Sequence, residues 1–197
     1  NIENGIIETD VTFICVGTPS KKDGSIDLNY IKSAASSIGR ALRHKKKEHT
    51  IIVKSTVVPL TTEDVVLPII VKKSGMKREQ LGFGMNPEFL REGSAIKDAQ
   101  DPDRIVIGHA DPIALKTMQE LYKAHKCPKL ECSPRTAELI KYASNSFLAA
   151  KISFANEMAN MCNAWGMDFK EVAEGMGMDS RISPLFLRAG AGFGGSC

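Results

Sequence analysis

Short, nearly continuous apolar runs that alternate with helical stripes constrain this chain more than any other feature. Thr12-Phe13-Ile14-Cys15-Val16 and Thr50-Ile51-Ile52-Val53-Lys54 lack the polar–apolar alternation of a half-exposed strand and read as strands buried on both faces. Between them, apolar residues recur at Leu28, Ile31, Ala35, Ile38 and Leu42, the spacing of one helix face, with Asp27 as a fair N-cap. Thr61 or Thr62 is expected to cap a second helix through Val65, Val66, Ile69 and Ile70, with Pro68 a kink or break. Further strands are expected around Phe83-Gly84-Met85 and from Arg104 to Gly108, with a helix from Ile113 to Ala124 behind them and an edge strand from Lys129 to Cys132. Strands and helices alternating at this spacing predict an α/β domain with a mostly parallel sheet.

In such sheets, ligands bind at the carboxyl ends of the strands. Gly17-Thr18-Pro19, Ser55-Thr56 and Asn86-Pro87-Glu88 each follow a strand directly, so three polar clusters share one edge. Each alone reads more simply as a turn or a cap; the three together favour a site. No G-x-G-x-x-G follows a strand, so the usual dinucleotide fingerprint is not visible.

From Ser133-Pro134 a helical pattern runs about 30 residues to near Trp165, a span of about 45 Å. Its apolar residues, among them Leu139, Phe147, Ile152, Phe154 and Met161, fall on more than one face and predict burial on several sides. Lys141 and Asn145 stand four apart on that helix, hence side by side. A short helix from Phe169 to Gly175 precedes an irregular segment ending in Gly192-Phe193-Gly194-Gly195-Ser196-Cys197. Alone, that ending reads more simply as a flexible glycine tail with an incidental thiol.

Composition narrows the function classes. The 197 residues are 43% hydrophobic and 25% charged, ordinary for a soluble globular chain. A net charge of +3 is too small to argue for nucleic acid. The one basic run, Arg43-His44-Lys45-Lys46-Lys47, ends a predicted helix, where solvated cations suit the macrodipole. Five cysteines without a C-x-x-C pair argue against zinc and a disulfide framework and fit a reducing cytoplasm. No apolar run reaches the ~20 residues that span a bilayer, so no membrane role is expected. A cysteine hydrolase would need a base beside Cys197, yet His44, His49, His109 and His125 all precede the long helix.

Asn86-Pro87-Glu88-Phe89-Leu90-Arg91-Glu92-Gly93-Ser94 resembles the nucleotide-sugar dehydrogenases, the UDP-glucose/GDP-mannose dehydrogenase family. The resemblance continues through Val16-Gly17-Thr18-Pro19, Lys54-Ser55-Thr56-Val57, the Lys141/Asn145 pair and the closing glycine-cysteine motif, in the family's order. Asp101 to Gly108, Gly177 to Ile182 and Phe186 to Gly190 look most like the UDP-glucose branch; GDP-mannose is the close alternative.

The resemblance implies a partial Rossmann-like NAD-binding domain over residues 1–132. A long central helix and the start of an all-α dimerisation domain would occupy residues 133–197. It implies NAD-dependent oxidation of a sugar C6 alcohol to a carboxylate in two hydride transfers through a cysteine thiohemiacetal and thioester. Cys197 fills the nucleophile's position, and Lys141 and Asn145 match the oxyanion-stabilising pair. Glu88 and Thr18 match groups that hold a water near the reacting carbon. Val16, Gly17, Thr18, Ser55, Thr56 and Glu92 correspond to the cofactor edge.

Glu88, Phe89, Leu90, Arg91, Lys141, Asn145, Phe186, Leu187, Arg188, Gly192, Phe193 and Gly194 correspond to substrate contacts. Arg181 matches an arginine that reaches the substrate of a neighbouring subunit, which implies a homodimer through the long helix. The family's glycine-rich pyrophosphate loop and the segment after the cysteine have no counterpart here. The chain is therefore expected to be an internal piece of the enzyme, inactive by itself.

Overall fold

The structure, a computed structural model, describes residues 2–192. It opens with a helix, α1 (Ile2–Glu8), that lacks a periodic stripe and was not expected from the sequence. The β-α-β alternation follows: β1 (Val11–Ile14), α2 (Asn29–Leu42), β2 (His49–Val53), then a π-helical turn (Thr62–Val66) leading into α3 (Leu67–Ser74). Beyond these come β3 (Leu81–Met85), α4 (Ala95–Gln100), β4 (Ile105–His109), α5 (Pro112–Leu121), β5 (Lys129–Cys132), α6 (Pro134–Trp165) and α7 (Phe169–Gly177). The chain divides into two compact units, Asn1–Tyr142 and Ala143–Cys197.

The five strands lie in chain order, and all neighbours run parallel except β3 and β4, which are antiparallel. No long helical crossover precedes β4: among the described residues the only helix between it and β3 is the six-residue α4, and β4 enters the sheet in the opposite direction. Register aligns Ile14, Val53 and Met85 across β1 to β3, which brings the three polar clusters after them to one edge as expected.

One face of the sheet presents Ile14, Ile51, Val53, Leu81, Phe83 and Met85 to α2 and α3, the larger core. The other presents Ile52, Ile105 and Ile107 to Ala114 and Met118 of α5. β1 departs from the expected burial on both faces. It is an edge strand, and Phe13 remains 38% exposed. β3 shows why α5 can lie so close. Its residues alternate large and glycine, and a Cβ at Gly84 would stand 2.5 Å from Met118 Cε and 2.9 Å from Gly108 O. A Cβ at Gly82 would meet Thr50 Oγ1 at 2.7 Å and the Ala114 amide at 3.1 Å.

Helix ends are satisfied from a distance. Neither Thr61 nor Thr62 makes the expected side-chain cap. Instead the buried Glu138 carboxylate of α6 accepts from the Leu60 amide at 2.6 Å and the Thr62 amide at 2.7 Å. Pro68 falls in the first turn of α3, directly after the π-helical turn, so the helical run changes type beside it, at the break expected there. Asp111 caps α5 through the Ala114 amide and accepts from the Phe83 amide and Arg78.

The basic run after α2 is not simply solvated. Lys45 is buried and donates to Ile6 O at 2.8 Å and Ile7 O at 3.2 Å, closing the carboxyl end of α1. Arg43 Nε donates to Lys73 O at 2.6 Å, at the end of α3.

In the second unit, Lys151 donates to Ile182 O at 2.9 Å and Leu187 is buried, anchoring the segment after α7. The burial expected along the long helix is incomplete within this chain. Phe147, Phe154, Met161 and Trp165 are all more than 40% exposed. Among the described residues no helix is long and apolar enough to cross a membrane.

Candidate functional site

The edge formed by the carboxyl ends of β1, β2 and β3 holds a connected polar network. Two loops are stitched together there: Thr18 Oγ1 donates to Thr56 O at 2.7 Å, and Ser55 Oγ donates to Val16 O at 2.6 Å. Both hydroxyls, the Val16 and Thr56 carbonyls and the Ser55 amide are thus engaged in tying the two loops together. Gly17 is exposed, and a Cβ there would meet nothing within 4 Å. That edge is open to a ligand.

β3 delivers the next cluster. Asn86, 2% exposed, is fixed on every side: its amide donates to Val53 O at 2.9 Å, its Nδ2 to Val106 O at 2.8 Å, and its Oδ1 accepts from Lys54 Nζ at 2.7 Å and from the Tyr122 hydroxyl. Pro87 then restricts the backbone on both sides of itself. Glu88 emerges with both carboxylate oxygens placed. Oε2 accepts from the Leu90 amide at 2.7 Å, and Oε1 lies 3.0 Å from Lys141 Nζ. Lys141 is buried on α6, so an ammonium and a carboxylate meet largely away from water. Such a pair can hold or pass a proton and can present positive charge to a developing oxyanion.

Charges around the pair are shifted in ways burial explains. Desolvation pulls the Lys54 ammonium below the usual lysine range, with Cys15 and Glu88 opposing and Lys141 reinforcing. Desolvation raises the Cys15 thiol against the pull of Lys54. The Tyr122 phenol is pushed up to about 12 by burial and by Cys15, so it remains a donor at working pH.

The other sequence-predicted residues are placed as follows. The Phe89 ring receives the Arg104 guanidinium at 3.9 Å and Lys141 Nζ at 5.3 Å. Leu90 and Glu92 are exposed. Arg91 folds onto Asp98, with Nη2 2.5 Å from Oδ1, and its hydrogen bonds hold that carboxyl well below the usual carboxylate range.

Asn145 belongs to the second unit, as do the residues after α7. There Arg181 forks onto Asp179 at 2.6 Å, Phe186 takes a positive φ of 66°, and Arg188 is exposed. Gly190 N donates to Asn156 Oδ1 at 2.8 Å, and an open cleft of about 320 Å³ is lined by Ser153, Asn156, Glu157, Asn160, Gly190, Ala191 and Gly192. Cys197, Phe193 and Gly194 lie outside the described residues.

Lys54 and Asn86 stand within the motifs of the sequence without an individual role there, and Tyr122 stands outside them. Asn86 carried a usable signal, a polar residue before proline at the end of a buried strand. Tyr122 carried none, because nothing local distinguishes it from an amphipathic helix end.

A mostly parallel β-α-β sheet with its polar edge on the strand ends, and a long helix that brings a lysine to a carboxylate there, defines a Rossmann-like α/β domain. Residues 1–126 match the NAD-binding domain of the UDP-glucose/GDP-mannose dehydrogenase family, and residues 135–197 match its central domain. The chain belongs to that family, and NAD is the cofactor the matched domain implies.

It is 48% identical to a UDP-glucose 6-dehydrogenase of Haloferax volcanii, over 98% of this chain and 46% of that protein. It is 43% identical to a GDP-mannose 6-dehydrogenase of Pseudomonas aeruginosa, over 100% of this chain and 46% of that one. The structure superposes on a UDP-glucose dehydrogenase from Pyrobaculum islandicum with a TM-score of 0.96 at 49% identity, covering 100% of this chain and 45% of that one. The chain thus spans about half the length of the relatives it matches.

Proposed function

We propose that this chain serves the NAD-dependent oxidation of a nucleotide sugar at C6, UDP-glucose to UDP-glucuronate. The observation that carries the reading is the contact of buried Lys141 with half-buried Glu88 at 3.0 Å, set at the carboxyl edge of a Rossmann-like sheet. When bound, NAD supplies the hydride acceptor for each of the two oxidations. Lys141 offers positive charge, with Asn145 as a second donor, to the oxygen of the reacting C6.

The Cys197 thiolate adds to the C6 aldehyde to form a thiohemiacetal. Loss of hydride from that carbon leaves a thioester. Water held by Glu88 and Thr18 then hydrolyses it, releasing the carboxylate and restoring the thiol. A reduced thiol suits a cytoplasmic location. The exposed Phe147, Phe154, Met161 and Trp165 recur at seven- and four-residue spacing on α6 and support a homodimer through that helix, with Arg181 directed to the partner's substrate.

GDP-mannose is the second reading, favoured by the relative 43% identical across the whole chain. The test is NADH formation by the full-length protein with each sugar nucleotide. UDP-glucose is expected to be preferred, and Cys197→Ala to abolish turnover. A preference for GDP-mannose selects the second reading, and no NADH with any sugar nucleotide rejects both. For the 197-residue chain alone, calorimetry with NAD is expected to show at most weak binding, as in a non-catalytic dimerising piece.

A further inference from the structure

Between the sheet edge and the reactive pair lies a relay of contacts that joins two of the sequence motifs to Tyr122, which belongs to neither. The Tyr122 hydroxyl and Lys54 Nζ converge on one atom, Asn86 Oδ1, while Asn86 Nδ2 is anchored to Val106 O at 2.8 Å. Asn86 cannot rotate without stranding a buried donor, an outcome that costs more than the bond itself contributes. Pro87 passes this rigidity on, because its ring fixes its own φ and narrows the choices open to Asn86. The next residue is Glu88.

We propose that Tyr122, with Lys54, is a positioning residue that holds the Glu88 carboxylate against Lys141 by pinning the Asn86 side chain. The inference rests on the proposed use of that pair in the sugar oxidation. Three observations support it. First, the tyrosine sits just past α5, the helix that lies against Gly82 and Gly84 of β3, so its hydroxyl reaches the strand end from a rigid support. Second, its phenol stays protonated through neutral pH and keeps donating. Third, Lys54 Nζ also approaches Asn86 O at 3.4 Å, so both the side chain and the backbone of Asn86 face one cation.

The test uses the full-length enzyme. Tyr122→Phe removes one oxygen and keeps the ring. It is expected to lower kcat about tenfold while KM for NAD and for the sugar nucleotide stays within about twofold, because a small displacement of a reacting group slows chemistry without weakening binding. Lys54→Met is expected to do the same, with partial recovery in Lys54→Arg, which retains a cationic donor. In a Glu88→Gln background the Tyr122→Phe loss is expected to shrink to within about twofold, since residues acting through one group are not additive.

A thermal midpoint that falls with unchanged kcat in both variants would overturn the proposal in favour of plain packing. So would full additivity with Glu88→Gln. Carboxyl-carbon NMR of labelled glutamate, with Glu88 assigned by Glu88→Gln, supplies a readout free of turnover. Its resonance is expected to move in Tyr122→Phe and Lys54→Met. If it moves in an enzyme without sugar-nucleotide activity, the proposed reaction fails and the positioning stands. If it stays fixed in both variants, the positioning fails.

Discussion

The Lys141 ammonium stands 3.0 Å from the Glu88 carboxylate and joins the long helix to the loop that leaves β3. With Lys141 only 5% exposed, the Glu88 charge cannot be removed cheaply, because it would leave the lysine buried without its partner. The same contact therefore serves the fold and the chemistry.

Lys141→Met in the full-length enzyme is expected to lower kcat by ~10²- to 10³-fold, the usual loss when an oxyanion-stabilising group is removed. Glu88→Gln is expected to cost ~10²-fold while leaving a hydrogen-bonding side chain in place. Steady-state NADH formation measures both, and kcat within twofold of the parent in either variant would remove that residue from the chemistry.

Glu138→Gln is expected to lower unfolding free energy by about 1–3 kcal/mol, since the two backbone donors sit on separate carboxylate oxygens and glutamine would set an NH2 donor against one of them. Glu138→Ala should cost more, as both amides are stranded. Urea unfolding with a constant m-value is the measurement.

His49 makes the fold acid-sensitive. It is 1% exposed, and burial, helped by the nearby Lys45 charge, pulls its pKa from 6.5 down to about 4. The folded state therefore binds fewer protons than the unfolded chain between those values. The stability linked to neutral His49 is complete above pH 6.5 and is lost as pH falls toward and through about 4. The full loss is about 3 kcal/mol. Unfolding free energies at pH 7, 5.5 and 4.5 should show this slope, and His49→Gln should flatten it.

Gly84→Ala is expected to destabilise by about 1–3 kcal/mol, because the new methyl meets a backbone oxygen at 2.9 Å as well as the mobile end of Met118. Met118→Ala in the same chain should recover only part, since Gly108 O cannot move aside. Paired thermal melts decide the point.

The alternation of strands and helices was legible because buried strands must be apolar along their whole length and α2 must be apolar on one face only. The direction of β4 was not legible, since a strand reads the same whichever way it enters the sheet. Lys45 looked like a solvated cation because its acceptors, the carbonyls ending α1, belong to a helix without a sequence stripe. Glu138 and Tyr122 escaped notice for a related reason: each serves backbone or side-chain atoms far away in the chain, and local pattern carries no trace of that service. Glu88 and Lys141 were found through their motifs, and the structure brings them into contact.

Glu138 also bears on the order in which the domain assembles. The amides of Leu60 and Thr62, at the entrance to the π-helical turn and α3, have their acceptor on α6, well beyond β3, β4 and β5 in the chain. Until that distant segment docks, this end of the turn is left with open donors and frays, so its consolidation belongs to the late, high-separation steps of folding. Glu138→Gln should accordingly speed unfolding and leave the folding rate nearly unchanged, a φ-value near zero. A long helix placed late in the chain thus acts as the latch on an element formed early in it.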